Sequence, residues 1–129
     1  MHDNQIFKIA LITTVLGLAG MMLLSNQIMP QEFKIKDINK NNVGEDIIIE
    51  GLITTVESPQ NGLYTLYVVD ETGKMTVVIF SNLSNEFNRQ GINISSFQNH
   101  RAKITGRVNE YKGSIQLIIE DTKSIKIIN

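Results

Sequence analysis

The sequence predicts an all-β domain, a small closed barrel of five strands, behind one apolar N-terminal helix. Three observations carry that expectation. Apolar residues alternate with others in Ile47-x-Ile49-x-Gly51-x-Ile53, Met75-x-Val77-x-Ile79 and Ala102-x-Ile104-x-Gly106-x-Val108, the period of a strand buried on one face. Glycine interrupts two of these stretches, at Gly51 and Gly106, where the strands of a small barrel must bend sharply. Residues 9 to 24, IALITTVLGLAGMMLL, carry no charge.

The apolar run is the first element. At about 1.5 Å per residue it spans roughly 24 Å, and starting from Ile6 roughly 28 Å, against a bilayer core of about 30 Å. Lys8 can snorkel to the interface. A single-pass membrane helix over 6–24 is therefore expected, placing the protein in a cell membrane. A cleaved signal peptide is the rival reading, and around Leu23-Leu24-Ser25-Asn26-Gln27 it lacks the small-x-small cleavage pattern. A buried amphipathic helix would confine its polar residues to one face, and this segment has almost none. Lys34, Lys36 and Lys40 outnumber Lys8 and lean toward a cytoplasmic barrel. A signal-anchor at the extreme N-terminus often gives the reverse, so both sides of the membrane stay open. The tripeptides Asn82-Leu83-Ser84 and Asn93-Ile94-Ser95 match the glycosylation pattern, but in so asparagine-rich a chain such matches arise by chance.

Residues 25–42 read as a polar linker that Pro30 bars from continuing the helix, with Phe33, Ile35 and Ile38 expected to tuck under the barrel. The barrel domain is expected over 43–129. Its first strand runs from about Asp46 to Val56, with Ile47, Ile49, Gly51 and Ile53 inward. A second strand, Leu63 to Val69, turns through Asp70-Glu71-Thr72-Gly73 into a third, Lys74 to Phe80. Leu83 and Phe87, four apart, predict a short helix within 81–90 that Gly91 ends. The fourth strand covers His100 to Val108 and passes a turn over Asn109 to Ser114. The fifth covers Ile115 to Glu120, with Ile125 and Ile127 extending it.

Composition narrows the chemistry. With 129 residues there is room for one such domain and one short accessory segment. The formal charge of −1 lacks the basic excess behind most tight, sequence-independent nucleic-acid binding. The absence of cysteine removes disulfides, thiolate metal sites and cysteine nucleophiles. His2 and His100 are the only imidazoles, too few and too far apart for a catalytic metal centre. No nucleophilic triad, phosphate-cradling glycine loop or suggestive carboxylate pair is present, so no enzymatic activity, metal or cofactor is expected.

The run from Val43-Gly44 through the Asp70-Glu71-Thr72-Gly73 turn to Tyr111-Lys112-Gly113-x-x-Gln116-Leu117 resembles the OB-fold family of nucleic-acid-binding domains, the anticodon-binding and replication-protein type. The resemblance covers roughly Val43 to Leu117. It implies a five-stranded Greek-key barrel with a short helix between the third and fourth strands. It also implies bases stacked on the outer faces of strands two and three, and loops that close over them.

Carried onto this chain, alternation puts Tyr64, Leu66 and Val68 inside and Thr65, Tyr67 and Val69 outside. On the next strand it exposes Thr76, Val78 and Phe80. Tyr67 and Phe80 become candidate stacking platforms, flanked by Thr65 and Thr76, with Tyr111 in the last hairpin loop. Arg101, Lys103 and Arg107 share the outward face of the fourth strand, with Lys112 beyond, and form a candidate phosphate track. Each has a plainer reading: Phe80 covered by the following helix, Tyr111 bracing its turn, and the basic stripe a solvated edge beside Glu110 and Glu120.

Two functions compete. One is a membrane-anchored, non-enzymatic module binding single-stranded nucleic acid weakly. The other is an extracytoplasmic scaffold or chaperone binding another protein or a small ligand, through strand-edge addition for example. An anchor followed by such a barrel also resembles the haem chaperone of cytochrome c maturation. That family places a histidine or cysteine with a nearby tyrosine after the barrel, and residues 121–129 contain none of these.

Overall fold

A computed structural model describes residues 29–58 and 61–129. The segment expected to enter a membrane, 6–24, lies outside these residues, and among them no helix is long and apolar enough to cross one.

Seven strands form one sheet: β1 (Gln31–Glu32), β2 (Asp46–Glu57), β3 (Tyr64–Val69), β4 (Lys74–Ile79), β5 (His100–Tyr111), β6 (Ser114–Ile118) and β7 (Ile125–Ile127). Their order is β1-β2-β3-β4-β6-β5-β7, and an added β2–β5 pairing closes the middle five into a barrel. The short helix α1 (Ser81–Arg89) lies between β4 and β5.

The alternation of β2 does what its sequence implies. Ile47, Ile49 and Ile53 are fully buried while Asp46, Glu50 and Thr55 face solvent. They meet Leu66, Val68, Val77, Ile79, Ile104, Val108 and Leu117 in one core. Burying each isoleucine contributes about 1.5–3 kcal/mol. Gly51 and Gly106 are required by close approach. A Cβ on Gly51 would stand 2.5 Å from the Val69 carbonyl oxygen, and one on Gly106 would stand 2.7 Å from Leu117 Cγ. A register shift between Ile53 and Thr55 adds a bulge that turns β2 from its pairing with β5 toward β3.

Helix α1 buries Phe87 against Phe97, edge to face at 6.1 Å, and Leu83 packs at the rim of the core. It ends as expected at Gly91, where the Ile92 amide donates to the Phe87 carbonyl and the Gly91 amide to that of Asn88. This paired closure needs a left-handed residue, and Gly91 has φ of 76°.

Residues 31–42 of the expected linker lie along the barrel. β1 pairs in parallel with Ile47 and Ile48, Ile35 is buried, and Phe33 and Ile38 pack on the core. The Asp70 carboxylate holds this arm down. Its Oδ2 accepts from the Ile35 amide at 2.9 Å, and its Oδ1 accepts from the Thr72 amide, the Thr72 hydroxyl and the Gly73 amide at 2.6–2.9 Å. The Lys36 amide donates to Thr72 Oγ1, and Lys34 pairs with Glu71.

Three expectations are corrected. Ile125 and Ile127 do not extend the fifth strand. A 3-10 turn at Thr122–Ser124 reverses the chain, and β7 pairs antiparallel with Ala102–Ile104 of β5. Tyr111 is not a loop residue but the last of β5, paired with Ser114 across a turn of Lys112 (φ 52°) and Gly113 (φ 80°), the left-handed pair of a type I′ hairpin. Val78, expected to be exposed, is buried. It sits in a central strand between Thr65 and Ile118, and those neighbours leave so short a side chain little contact with water.

Candidate nucleic-acid interface

Two rows of side chains cross the outer surface of the barrel. The strand registers place Thr55, Tyr67, Thr76, Gln116 and Asn109 side by side in one row. The next row holds Glu57, Thr65, Val78, Ile118 and Arg107. Alternation commits both to the outside, since the residues between them on each strand (Val56, Leu66, Val77, Leu117 and Val108) belong to the core or pack against it.

Tyr67 is the aromatic at the centre, 37% exposed. Its hydroxyl donates to Glu57 Oε2 at 3.2 Å, and its carbonyl accepts from the Thr54 hydroxyl at 3.2 Å. Burial first, and then the Glu57 carboxylate, raise the pKa of the phenol, so it stays protonated and donating. The ring is thus held at its polar end with its body open to a flat ligand. Thr76 beside it and Thr65, two residues along β3, are half-buried.

Phe80 follows the end of β4 and is 43% exposed. The helix does not cover it. Phe80 occupies the N-cap position, where its carbonyl accepts from the Leu83 and Ser84 amides, and its ring borders a hollow of about 260 Å³ with Leu83, Ile118 and Ile119. Four residues along the strand from Thr76, it stands about 13 Å from the Tyr67 row. Tyr111, 58% exposed, lies on β5, reached from Tyr67 across β4 and β6 and then two residues along from Asn109, the β5 member of the Tyr67 row. Lys112 Nζ stands 5.4 Å from its ring centre, within cation–π range.

The basic residues do not form one track. Arg101, Lys103 and Arg107 are all exposed on β5, but β5 winds around the barrel. Arg101 lies opposite Leu52, which has Val69 on its other side, and Lys103 lies opposite Glu50. Arg107 reaches the face from the other direction, beyond Ile118. Its Nε sits between Asp46 Oδ1 at 3.5 Å and Glu120 Oε1 at 3.2 Å, so its charge is already countered. Lys74 is a cation the candidate set lacks. It pairs with Val69, points outward in phase with Thr76, is exposed, and makes no ion pair among the described residues. Its phase was readable from the alternation; the places of Thr55, Gln116 and Glu57 required the registers.

Among the described residues no group of three histidine, cysteine, aspartate or glutamate side chains is placed to hold a metal. The face offers one central π-surface, hydrogen-bonding side chains that include the Glu57 carboxylate beside the ring, and sparse positive charge. That suits flat, polar ligands read without sequence preference.

The family described as OB-fold nucleic acid binding domain matches residues 47–125, more than half of the chain. Similar solved structures include the OB domain of a Methanosarcina mazei protein, with a TM-score of 0.60 and 19% identity over 78% of this chain and 85% of that one. The OB domain of a Thermoplasma acidophilum protein gives 0.57 and 19% over 77% and 88%. The asparaginyl-tRNA synthetase of Pyrococcus horikoshii complexed with asparaginyl-adenylate gives 0.59 and 15%, over 78% of this chain but 23% of the synthetase. This chain therefore spans less than a quarter of that enzyme's length, and at these identities the likeness is one of fold. No curated protein matches the sequence.

Proposed function

The chain belongs to the family of OB-fold nucleic acid binding domains, and from that membership we propose that it binds single-stranded nucleic acid, with modest affinity and no enzymatic step, on the outer face of β3 and β4. Residues 6–24 hold it to a membrane as a single-pass anchor. The observation that carries the reading is Tyr67, an aromatic ring held by Glu57 in the middle of an exposed sheet face. Stacking of a base on such a ring is worth about 1–3 kcal/mol and is indifferent to which base. Phe80 offers a second ring further along β4. Lys74, at the edge of the same face, supplies charge for a phosphate, and Arg101 supplies it from beyond Leu52. Because these free cations are few, affinity rests more on stacking than on counterion release.

The test is fluorescence anisotropy of the full chain in lipid nanodiscs with short labelled single-stranded DNA and RNA, at low and physiological salt, beside Tyr67→Ala and Tyr67→Phe. Micromolar binding that Tyr67→Ala weakens about tenfold and Tyr67→Phe retains supports the reading. Binding indifferent to Tyr67→Ala removes this face as the site.

One observation favours a second reading, an extracytoplasmic scaffold that pairs with an extended segment of another protein. β7 is an edge strand, and Ile127 at its end and Ile128 just past it are 41% and 48% exposed. An open edge with apolar side chains is what strand addition uses.

A further inference from the structure

Exposed large apolar side chains lie on the β3–β4 face (Tyr67, Phe80), at the β7 edge (Ile127, Ile128) and in a third group. The members of that group, Met29, Val43 and Tyr111, are 68%, 41% and 58% exposed and lie at one pole. Parallel pairing of Gln31 with Ile47 sets the incoming chain beside the start of β2, and Met29 lines a hollow there with Glu45 and Asp46. Val43 is tied to the same end, because the Gly44 amide donates to the Val108 carbonyl and the Val108 amide to that of Glu45. Tyr111 ends β5 three residues further on, just past Glu110, which Lys40 reaches at 3.8 Å.

We propose that this pole rests on the bilayer surface, Met29, Val43 and Tyr111 meeting the lipid headgroup region, so that the barrel stands on the membrane with its nucleic-acid face turned sideways. The proposal rests on the anchor reading of residues 6–24. The covalent chain gives the reason. The apolar run ends at Leu24 and the folded arm begins at Met29, and five peptide steps span at most about 18 Å. The arm from Gln31 onward is then held to β2 and to Asp70, so little slack remains to swing another surface toward the lipid.

The chemistry of the pole fits that neighbour. Tyrosine is a side chain of membrane–water boundaries, with an apolar ring and a polar tip, and a lysine over its ring can reach outward to headgroups. The charges around it are largely paired: Arg107 with Asp46 and Glu120, Lys40 with Glu110. Glu45 and Lys112 add one charge of each sign, and because Arg107 faces two carboxylates the pole carries one more negative charge than positive. The surface therefore matches a zwitterionic bilayer and does not require anionic lipid. It follows that Tyr111 belongs to the lipid contact and is not a base platform.

The chain contains no cysteine, so single cysteines can be introduced at Val43→Cys, Tyr111→Cys, Phe80→Cys and Ile127→Cys in the full chain. Each is labelled with an environment-sensitive fluorophore in phosphatidylcholine vesicles carrying a headgroup-region quencher. Carbonate washing first establishes whether the chain is held in the vesicles. In retained chain, quenching at 43 and 111 at least about threefold above that at 80 and 127 is the expected result. Retained chain quenched equally at all four positions, or not at 43 and 111, overturns the orientation while leaving the anchor standing. Chain stripped by carbonate overturns the anchor reading and the orientation with it. Circular dichroism of each labelled variant confirms a folded barrel; all four positions are exposed, so the labels meet solvent or lipid rather than the core.

Discussion

Replacing Asp70 by asparagine keeps the shape of the side chain and removes its charge, and the structure says what this does. The carboxylate accepts four hydrogen bonds, three within its own turn and one from the Ile35 amide of the N-terminal arm. Burial pushes its pKa up, but the Thr72 hydroxyl and the Ile35, Thr72 and Gly73 amides outweigh that and hold it down at about 2. Against an unfolded value near 3.9 the shift corresponds to about 2.5 kcal/mol. Asp70 is partly exposed, so solvent screening lowers this to about 1–2 kcal/mol. An amide presents an N–H where Oδ1 or Oδ2 now accepts, so one of the two clusters faces a donor with a donor. For a domain of this size Tm should fall by about 5–15 °C at pH 7. The sign follows from a folded pKa below the unfolded one. The contribution is complete above about pH 4 and is lost as pH falls toward 2, so the gap between Asp70→Asn and the parent should close over that interval. Thermal unfolding by circular dichroism at pH 7, 4 and 2.5 measures it, and exchange of the Ile35 amide reports the arm directly. An unchanged Tm at pH 7, or a gap that persists undiminished at pH 2.5, would refute the claim that this carboxylate clamps the arm to the barrel.

Other outcomes follow from the same geometry. Gly106→Ala places a Cβ against Leu117 Cγ and the Ile118 carbonyl at under 3 Å and should cost about 1–3 kcal/mol, read as a lowered urea midpoint; a midpoint equal to the parent's would mean that the strands do not cross so closely there. Ile49→Ala, at the centre of the core, should cost about 2–5 kcal/mol in the same assay. Tyr111→Ala should leave single-stranded nucleic-acid affinity within about twofold, whereas Tyr67→Ala lowers it about tenfold; the reverse order would exchange the two assignments. Arg107→Ala should also change affinity little, because Asp46 and Glu120 already counter that charge.

Much of the fold was legible because period-two alternation reports which face of a strand is buried, and that property belongs to the strand alone. Ile47, Ile49, Ile53, Leu66, Val68, Val77 and Ile104 are all inside, and Phe87 and Gly91 set the helix and its end. What was not legible depends on neighbours. Val78 is out of phase with the core yet buried, because β4 lies between β3 and β6, and no pattern within β4 encodes its partners. β7 has the alternation of a strand extension, and only the turn at Thr122–Ser124 lays it on β5.

The candidate site divides in the same way. Alternation placed Thr65, Tyr67 and Thr76 on one face and assigned Arg101, Lys103 and Arg107 to one side of β5, but a side of a strand is a continuous surface only where the strand is straight. β5 pairs first with β2 and then with β6, so residues in phase along it open onto different parts of the barrel. This bears on the ligand. A continuous basic stripe would have tracked a phosphate backbone and made binding fall steeply with salt. With Arg107 neutralised and Arg101 and Lys103 set beyond β2, Lys74 is the free cation on β3 and β4 themselves. A slope of log affinity against log salt no steeper than about −1.5, corresponding to about two phosphates on a single strand, is therefore the signature of this face. A slope near −4 would place the binding surface elsewhere on the barrel, whatever its affinity.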